Sequence, residues 1–240
     1  MELPKLMLGT SPFIGAGQFG SKALEYHKKF YENPKNMEKL FVKSAELGVS
    51  ATQLMVYEPL IKALKNAEKR TGKFFIVAAI AEENFSRYFE LIIPLEPELV
   101  AIHAMFCDSL DERLNEWIDK IREIGAIPAA STHKPGETIP RLESLDIGAK
   151  ATMQIEAYLT PLNPIGFGMA PNFESALKAI KKTKKQVIAI KPLAAGKLFP
   201  EESLFEFIYK YADSIAVGIT SKEEMEETYS VIRLHPFIQD

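Results

Sequence analysis

Short apolar runs alternate eight times with longer segments of helical period, and this alternation constrains the chain more than any motif in it. The strand candidates are Leu6–Thr10, Ser50–Met55, Phe74–Ala79, Leu99–Met105, Ile127–Ser131, Ala151–Glu156, Val187–Lys191 and Ser214–Thr220. Strands that each feed a helix argue for βα units around a parallel sheet. Eight such units in 240 residues fit one (β/α)₈ TIM barrel, an α/β fold for which roughly 250 residues is typical. Residues 1–240 are therefore expected to form a single domain. An open doubly wound sheet is the runner-up. Gly15-Ala-Gly17-Gln-Phe-Gly20 has the spacing of a dinucleotide loop, but no clean helix follows it and no acidic strand end lies at the expected distance. Loop glycines are the better account.

Helix ends are legible. Ser109-Leu-Asp-Glu112 reads as a capping box opening a helix over 109–124, with Leu110, Leu114, Trp117, Ile118 and Ile121 as its apolar stripe and Gly125 as its stop. The last helix opens with Ser221-Lys-Glu-Glu224 and presents Met225, Tyr229 and Ile232. Another runs from about Asn36 to Leu47, with Gly48 behind it.

Composition removes several function classes. A single cysteine, Cys107, excludes a disulfide framework and any zinc site built on paired cysteines. A net charge of −3, from 29 basic and 32 acidic residues without long blocks of one sign, is not the footprint of a nucleic-acid binder. No apolar run approaches the ~20 residues needed to cross a bilayer, and the N-terminus lacks a basic region followed by an apolar core. The expectation is a cytoplasmic protein whose partner is a small molecule. Glu and Lys dominate the charged set, a composition that leans towards a thermophile.

In such barrels the chemistry sits at the C-terminal ends of the strands, and these ends are polar here. They offer Gly9-Thr10-Ser11, Gln53 with Tyr57, Glu82-Glu83-Asn84, His103 with Cys107-Asp108, Ser131-Thr132-His133, Gln154 and Glu156, Lys191, and Thr220-Ser221. In the sixth candidate strand, alternation puts Thr152, Gln154 and Glu156 on one face. An ammonium ending the run Val187-Ile-Ala-Ile-Lys191 should be ion-paired, with Glu156 the obvious partner, or be poised over a pocket.

At these residues the chain resembles the aldo-keto reductases, (β/α)₈ barrels that bind NADPH. Gln186 to Leu198 resembles their seventh strand and loop, Gly9-Thr10 the end of their first strand, and Leu47-Gly48-Val49 with Tyr57 the stretch carrying their catalytic Asp and Tyr. Val100-Ala-Ile-His103 resembles the strand ending in the catalytic His, and Ala130-Ser131-Thr-His133 the strand that holds the nicotinamide amide. Gln154-Ile-Glu156-Ala-Tyr158 is similar to the family's Gln-x-Glu-Tyr motif, and Val217-Gly218-Ile-Thr-Ser221-Lys222 to the segment that binds the adenosine phosphate. The resemblance implies catalytic roles for Gln53, Tyr57, His103 and Lys191. It implies NADP(H) contacts from Gly9, Thr10, Ser131, Gln154, Glu156, Lys191, Ser221 and Lys222, with no metal.

The family's catalytic Asp position falls on Gln53 and its Lys position near Ala79, while Tyr57 sits one residue out of register. A phenol with no ammonium beside it has nothing to favour its ionised form. The chain ends one helix past its eighth strand, so the C-terminal cover carried by the family is expected to be replaced by residues 11–36 or 159–171 as lids. Three readings follow: an NAD(P)H-dependent oxidoreductase with an incomplete tetrad; a barrel with other chemistry, using His103, His133 and Glu156 on a metal or Lys191 as a Schiff-base amine; and a non-catalytic ligand-binding protein.

Overall fold

The computed structural model describes residues 1–146 and 154–233. Eight parallel strands close into a barrel in sequence order. They are β1 (Leu6–Gly9), β2 (Ala51–Met55), β3 (Phe75–Ile80), β4 (Leu99–Ile102), β5 (Ile127–Ser131), β6 (Ala157–Pro161), β7 (Gln186–Ile190) and β8 (Ser214–Gly218). Closure is made by β1 on β8, in register from Leu6↔Ile215 to Gly9↔Gly218. Among the described residues the strands follow this closed sequential order and not that of the runner-up, an open doubly wound sheet.

The helices are α1 (Ala23–Phe30), α2 (Pro34–Glu46), α3 (Glu58–Thr71), α4 (Phe85–Ile92), α5 (Ala104–Cys107), α6 (Leu114–Glu123), α7 (Pro135–Asp146), α8 (Phe173–Lys182), α9 (Glu202–Tyr209) and α10 (Lys222–Arg233). Their apolar stripes cover the barrel. In α6, Leu114, Trp117, Ile118 and Ile121 are buried, each contributing about 1.5–3 kcal/mol of burial. Trp117 stacks on Phe85 at 4.4 Å between centroids. In α10, Met225, Tyr229 and Ile232 turn inward.

Two elements differ from the sequence expectation. The sixth strand lies at Ala157–Pro161, not Ala151–Glu156. A parallel barrel strand is covered on both faces, and all five residues of Ala157–Pro161 are buried, whereas Gln154 and Glu156 are exposed. The first three residues of the expected strand lie outside the described residues. The helix expected at 109–124 begins only at Leu114, because the chain turns through α5 first and the Ser109 hydroxyl bonds back to the carbonyls of Met105 and Phe106. At α10 the capping pattern does form, with the Ser221 hydroxyl accepting from Glu224 N–H at 3.1 Å.

The segment after β1 is not a bare loop. It runs through two 3₁₀ stretches and α1. Phe13 is fully buried against Phe30 and Phe41, at 5.0 and 5.7 Å between centroids. Lys29 Nζ donates to the Thr220 carbonyl at 2.8 Å and fastens α1 to the loop after β8, the strand next to β1. Within residues 159–171, Leu162, Asn163 and Met169 are buried.

Candidate active site

A cavity of about 560 Å³ opens at the C-terminal ends of the strands. An eight-stranded barrel is just wide enough for its interior to be filled by bulky side chains. Here the upper wall carries Gly9, Ala79, Ala81, Ser131, Ala216 and Gly218, and the space those residues leave is the cavity. Ile14, Phe19 and Tyr26 of the β1–α2 connection line its rim.

Lys191 stands just past β7. Ile190 lines the cavity, and strict alternation would send the next side chain outward. Lys191 instead takes a left-handed backbone, φ 56°, which a non-glycine residue adopts only when its surroundings hold it there. Its carbonyl accepts from Asn163 Nδ2 at 3.2 Å, and its side chain lines the cavity as well. Burial pushes its ammonium down to about 8, and the Asp108 carboxylate only partly offsets this. Among the described residues no carboxylate forms an ion pair with it. The expected Lys191–Glu156 pair is absent because Glu156 precedes β6, at the opposite end of the barrel.

Two imidazoles share this wall. His103 and His133 meet edge to face, 5.5 Å between ring centroids. Burial and the nearby Lys191 hold both below the usual histidine value, His133 at about 4. Nδ1 of His103 accepts the Met105 N–H at 3.3 Å, which leaves the proton of the neutral ring on Nε2. Asp108 fixes the other ring's backbone: it accepts from His133 N–H at 3.1 Å, from the Thr138 hydroxyl at 2.7 Å, and from the Thr132 hydroxyl.

Tyr57 and Gln53 also reach the cavity. The Tyr57 hydroxyl donates to Glu82 at 2.8 Å, and burial together with that carboxylate pushes the phenol's pKa well above its usual value. It is a poor acid as placed. Gln53 is only 4% exposed. Among the described residues its side chain has one partner, the Met55 sulfur, 3.7 Å from Nε2.

The remaining expected cofactor contacts divide. Gly9, Ser131 and Lys191 line the cavity. Thr10 is buried behind the wall, where its hydroxyl donates to the Gln53 carbonyl at 3.1 Å and accepts from Met55 N–H at 2.8 Å. Its task is to join β1 to β2. Gln154 and Glu156 are corrected outright. They enter β6 from its N-terminal end, with the Gln154 carbonyl accepting from Arg122 at 2.8 Å and Glu156 N–H donating to Pro128 at 2.9 Å. Ser221 and Lys222 open α10 beside the cavity but do not line it, whereas Thr220 and Glu224 do. The Glu224 carboxylate accepts from both the N–H and the hydroxyl of Thr220, each at 2.7 Å. The metal reading loses Glu156 for the same topological reason, and among the described residues no three His, Cys, Asp or Glu converge as ligands.

His133, Glu82 and Glu224 are the site residues that the sequence left without their present roles. His133 lies two residues past Ser131, so strand alternation was a signal for it. For Glu224 the four-residue step from Thr220 was a signal. The Tyr57–Glu82 contact had no local signal, since it joins two different βα loops.

No family model and no curated protein matches the sequence. Solved structures do match in fold. An aldo/keto reductase from Brucella melitensis superposes with a TM-score of 0.66 at 13% identity, over 95% of this chain and 89% of that one. Aldose reductase from Giardia lamblia gives 0.61 at 11% identity, over 98% and 88%. A thiamine phosphate pyrophosphorylase from Pyrococcus furiosus gives 0.54 at 12%, over 84% and 90%. The fold is thus aldo-keto reductase-like, and no helix among the described residues is long and apolar enough to cross a membrane.

Proposed function

We propose that this barrel binds a small carbonyl compound and that Lys191 attacks its carbonyl carbon as a free amine. The supporting observation is a lysine without a carboxylate partner among the described residues, desolvated in the cavity beside two neutral imidazoles. At pH 7 a lysine titrating at about 8 is uncharged in roughly one molecule in ten, against about one in 3,000 for an ordinary lysine. The nitrogen lone pair forms the C–N bond and the carbonyl oxygen takes up a proton, giving a carbinolamine. Loss of that oxygen as water leaves an imine. His103 lines the same cavity, and its Nε2–H suits donation to the departing oxygen.

NADP(H)-dependent carbonyl reduction is the competing reading, drawn from the fold likeness and from Gly9, Ser131 and Lys191 in the cavity wall. The residues present do not fit the adenosine phosphate. A helix N-terminus binds a phosphate through free N–H groups, but at α10 the Ser221 hydroxyl already takes the Glu224 N–H, and the Glu224 carboxylate, bonded to Thr220, adds its own negative charge. Tyr57, which would supply the proton, gives its hydrogen to Glu82. The barrel works on its carbonyl compound in the cytoplasm of a thermophile, without a nucleic-acid partner.

Borohydride added to the protein with a panel of aldehydes and ketones tests the proposal. A mass increase mapping to Lys191, and absent from Lys191→Met, is expected. No adduct across the panel overturns it; if the same compounds still bind, the ligand-binding reading replaces it. A rise in melting temperature with NADPH would restore the reductase reading.

A further inference from the structure

We infer that Gln53 and Ser131 form a subsite for hydroxyl groups, so that the compound presented to Lys191 is a short, uncharged hydroxy-aldehyde or hydroxy-ketone. The carbonyl part of this inference rests on the Lys191 proposal; the hydroxyl part rests on separate observations. Both side chains line the cavity and both are only 4% exposed. The Ser131 hydroxyl has no hydrogen-bond partner among the described residues, and Gln53 has only the weak Met55 sulfur contact at 3.7 Å. Neither side chain is sealed off: both face the cavity, where their donors and acceptors are free to pair with whatever fills it. The wall could have been apolar at these positions, as it is at Leu159 and Val217. Two deep polar groups facing one cavity therefore point to a ligand that pairs with them.

The chemistry of the pair narrows the ligand. An amide and a hydroxyl each donate and accept, which matches an alcohol, itself both donor and acceptor. A carboxylate or phosphate only accepts, and leaves the amide oxygen unpaired. Charge points the same way. The cations lining the cavity are Lys191, engaged with the carbonyl, and Lys22, which is exposed at the rim, while Glu224 sets a carboxylate on that rim. An anionic tail would meet repulsion there and little compensation. Placement is consistent: β2 stands three strands from β7 around the closed ring, so Gln53 faces Lys191 across the mouth, and Ser131 ends β5 beside His133. A ligand bridging the cavity meets all three.

The test removes the covalent step first. Lys191→Met cannot form an imine, so its binding of non-carbonyl analogues, followed by saturation-transfer NMR, reports the subsite alone. Erythritol is expected to bind more tightly than 1,4-butanediol. Adding Gln53→Met or Ser131→Ala should weaken erythritol by about 3- to 10-fold, the worth of one ordinary hydrogen bond, and weaken 1,4-butanediol, with fewer hydroxyls to pair, by less. Ser131→Ala carries the test alone if the methionine variant fails to fold. Equal binding of erythritol and 1,4-butanediol, or tighter binding of glycerol 3-phosphate than of glycerol, overturns the inference. The two proposals fail separately. No borohydride adduct with erythritol binding intact removes the Lys191 chemistry and retains the subsite. An adduct formed as readily with butanal as with a hydroxy-aldehyde removes the subsite alone.

Discussion

Replacing Lys191 with methionine should make the protein more stable while abolishing imine formation. The folded state holds the ammonium at about 8 against an ordinary 10.5. A tenfold change in proton affinity is worth about 1.4 kcal/mol, so a sealed group with this shift would cost about 3.4 kcal/mol. The Lys191 side chain is partly exposed, and solvent screening reduces the cost to about 1–2 kcal/mol. The sign follows from proton linkage. Between pH 8 and 10.5 the unfolded chain binds the proton more readily than the folded one, so wild-type stability rises with pH across that window. The advantage of Lys191→Met is thus full below pH 8 and gone by about pH 10.5. For a chain of this size 1–2 kcal/mol is a rise of roughly 2–8 °C in Tm. Thermal melts of both proteins from pH 6 to 10.5 measure it. A variant no more stable than wild type at pH 7, or a difference independent of pH, would refute the claim that this lysine is desolvated without a partner. A gain in stability on removing a functional group is the usual trade between stability and activity.

Two further outcomes are expected. Thr10→Val removes the buried hydroxyl that serves the Gln53 carbonyl and the Met55 N–H, and should lower stability by about 1–3 kcal/mol in urea denaturation; a neutral result would reject its role as the β1–β2 tie. Tyr57→Phe removes only the hydrogen bond to Glu82, so the borohydride-trapping rate should change less than about 3-fold. A loss of 100-fold or more would put the phenol back into the chemistry.

The barrel and most of its mouth were legible in the chain. Parallel strands buried on both faces read as apolar runs, and seven of the eight strands lie within a residue or a few of where those runs fall. Gly9, Gln53, Tyr57, His103, Ser131 and Lys191 reach one cavity because a strand's C-terminal end marks the mouth whatever the rest of the sequence does. Strand six misled because Ala151–Glu156 alternates like a half-exposed strand, while the true strand ends in Pro161, a residue that reads against a strand. That displacement of a few residues carried Gln154 and Glu156 from the mouth to the opposite end.

What the chain alone determined is therefore the order of strands and helices and which side chains stand at the strand ends, since both follow from local periodicity. Only the tertiary structure decided which of those side chains are satisfied. Tyr57 found Glu82, Thr220 found Glu224, and Thr10 turned to the wall. Among the described residues Lys191 was left without a carboxylate in ion-pair contact, beside two neutral histidines. Those pairings are set by strand register and by how the loops fold over the closed ring, distances that no local pattern encodes.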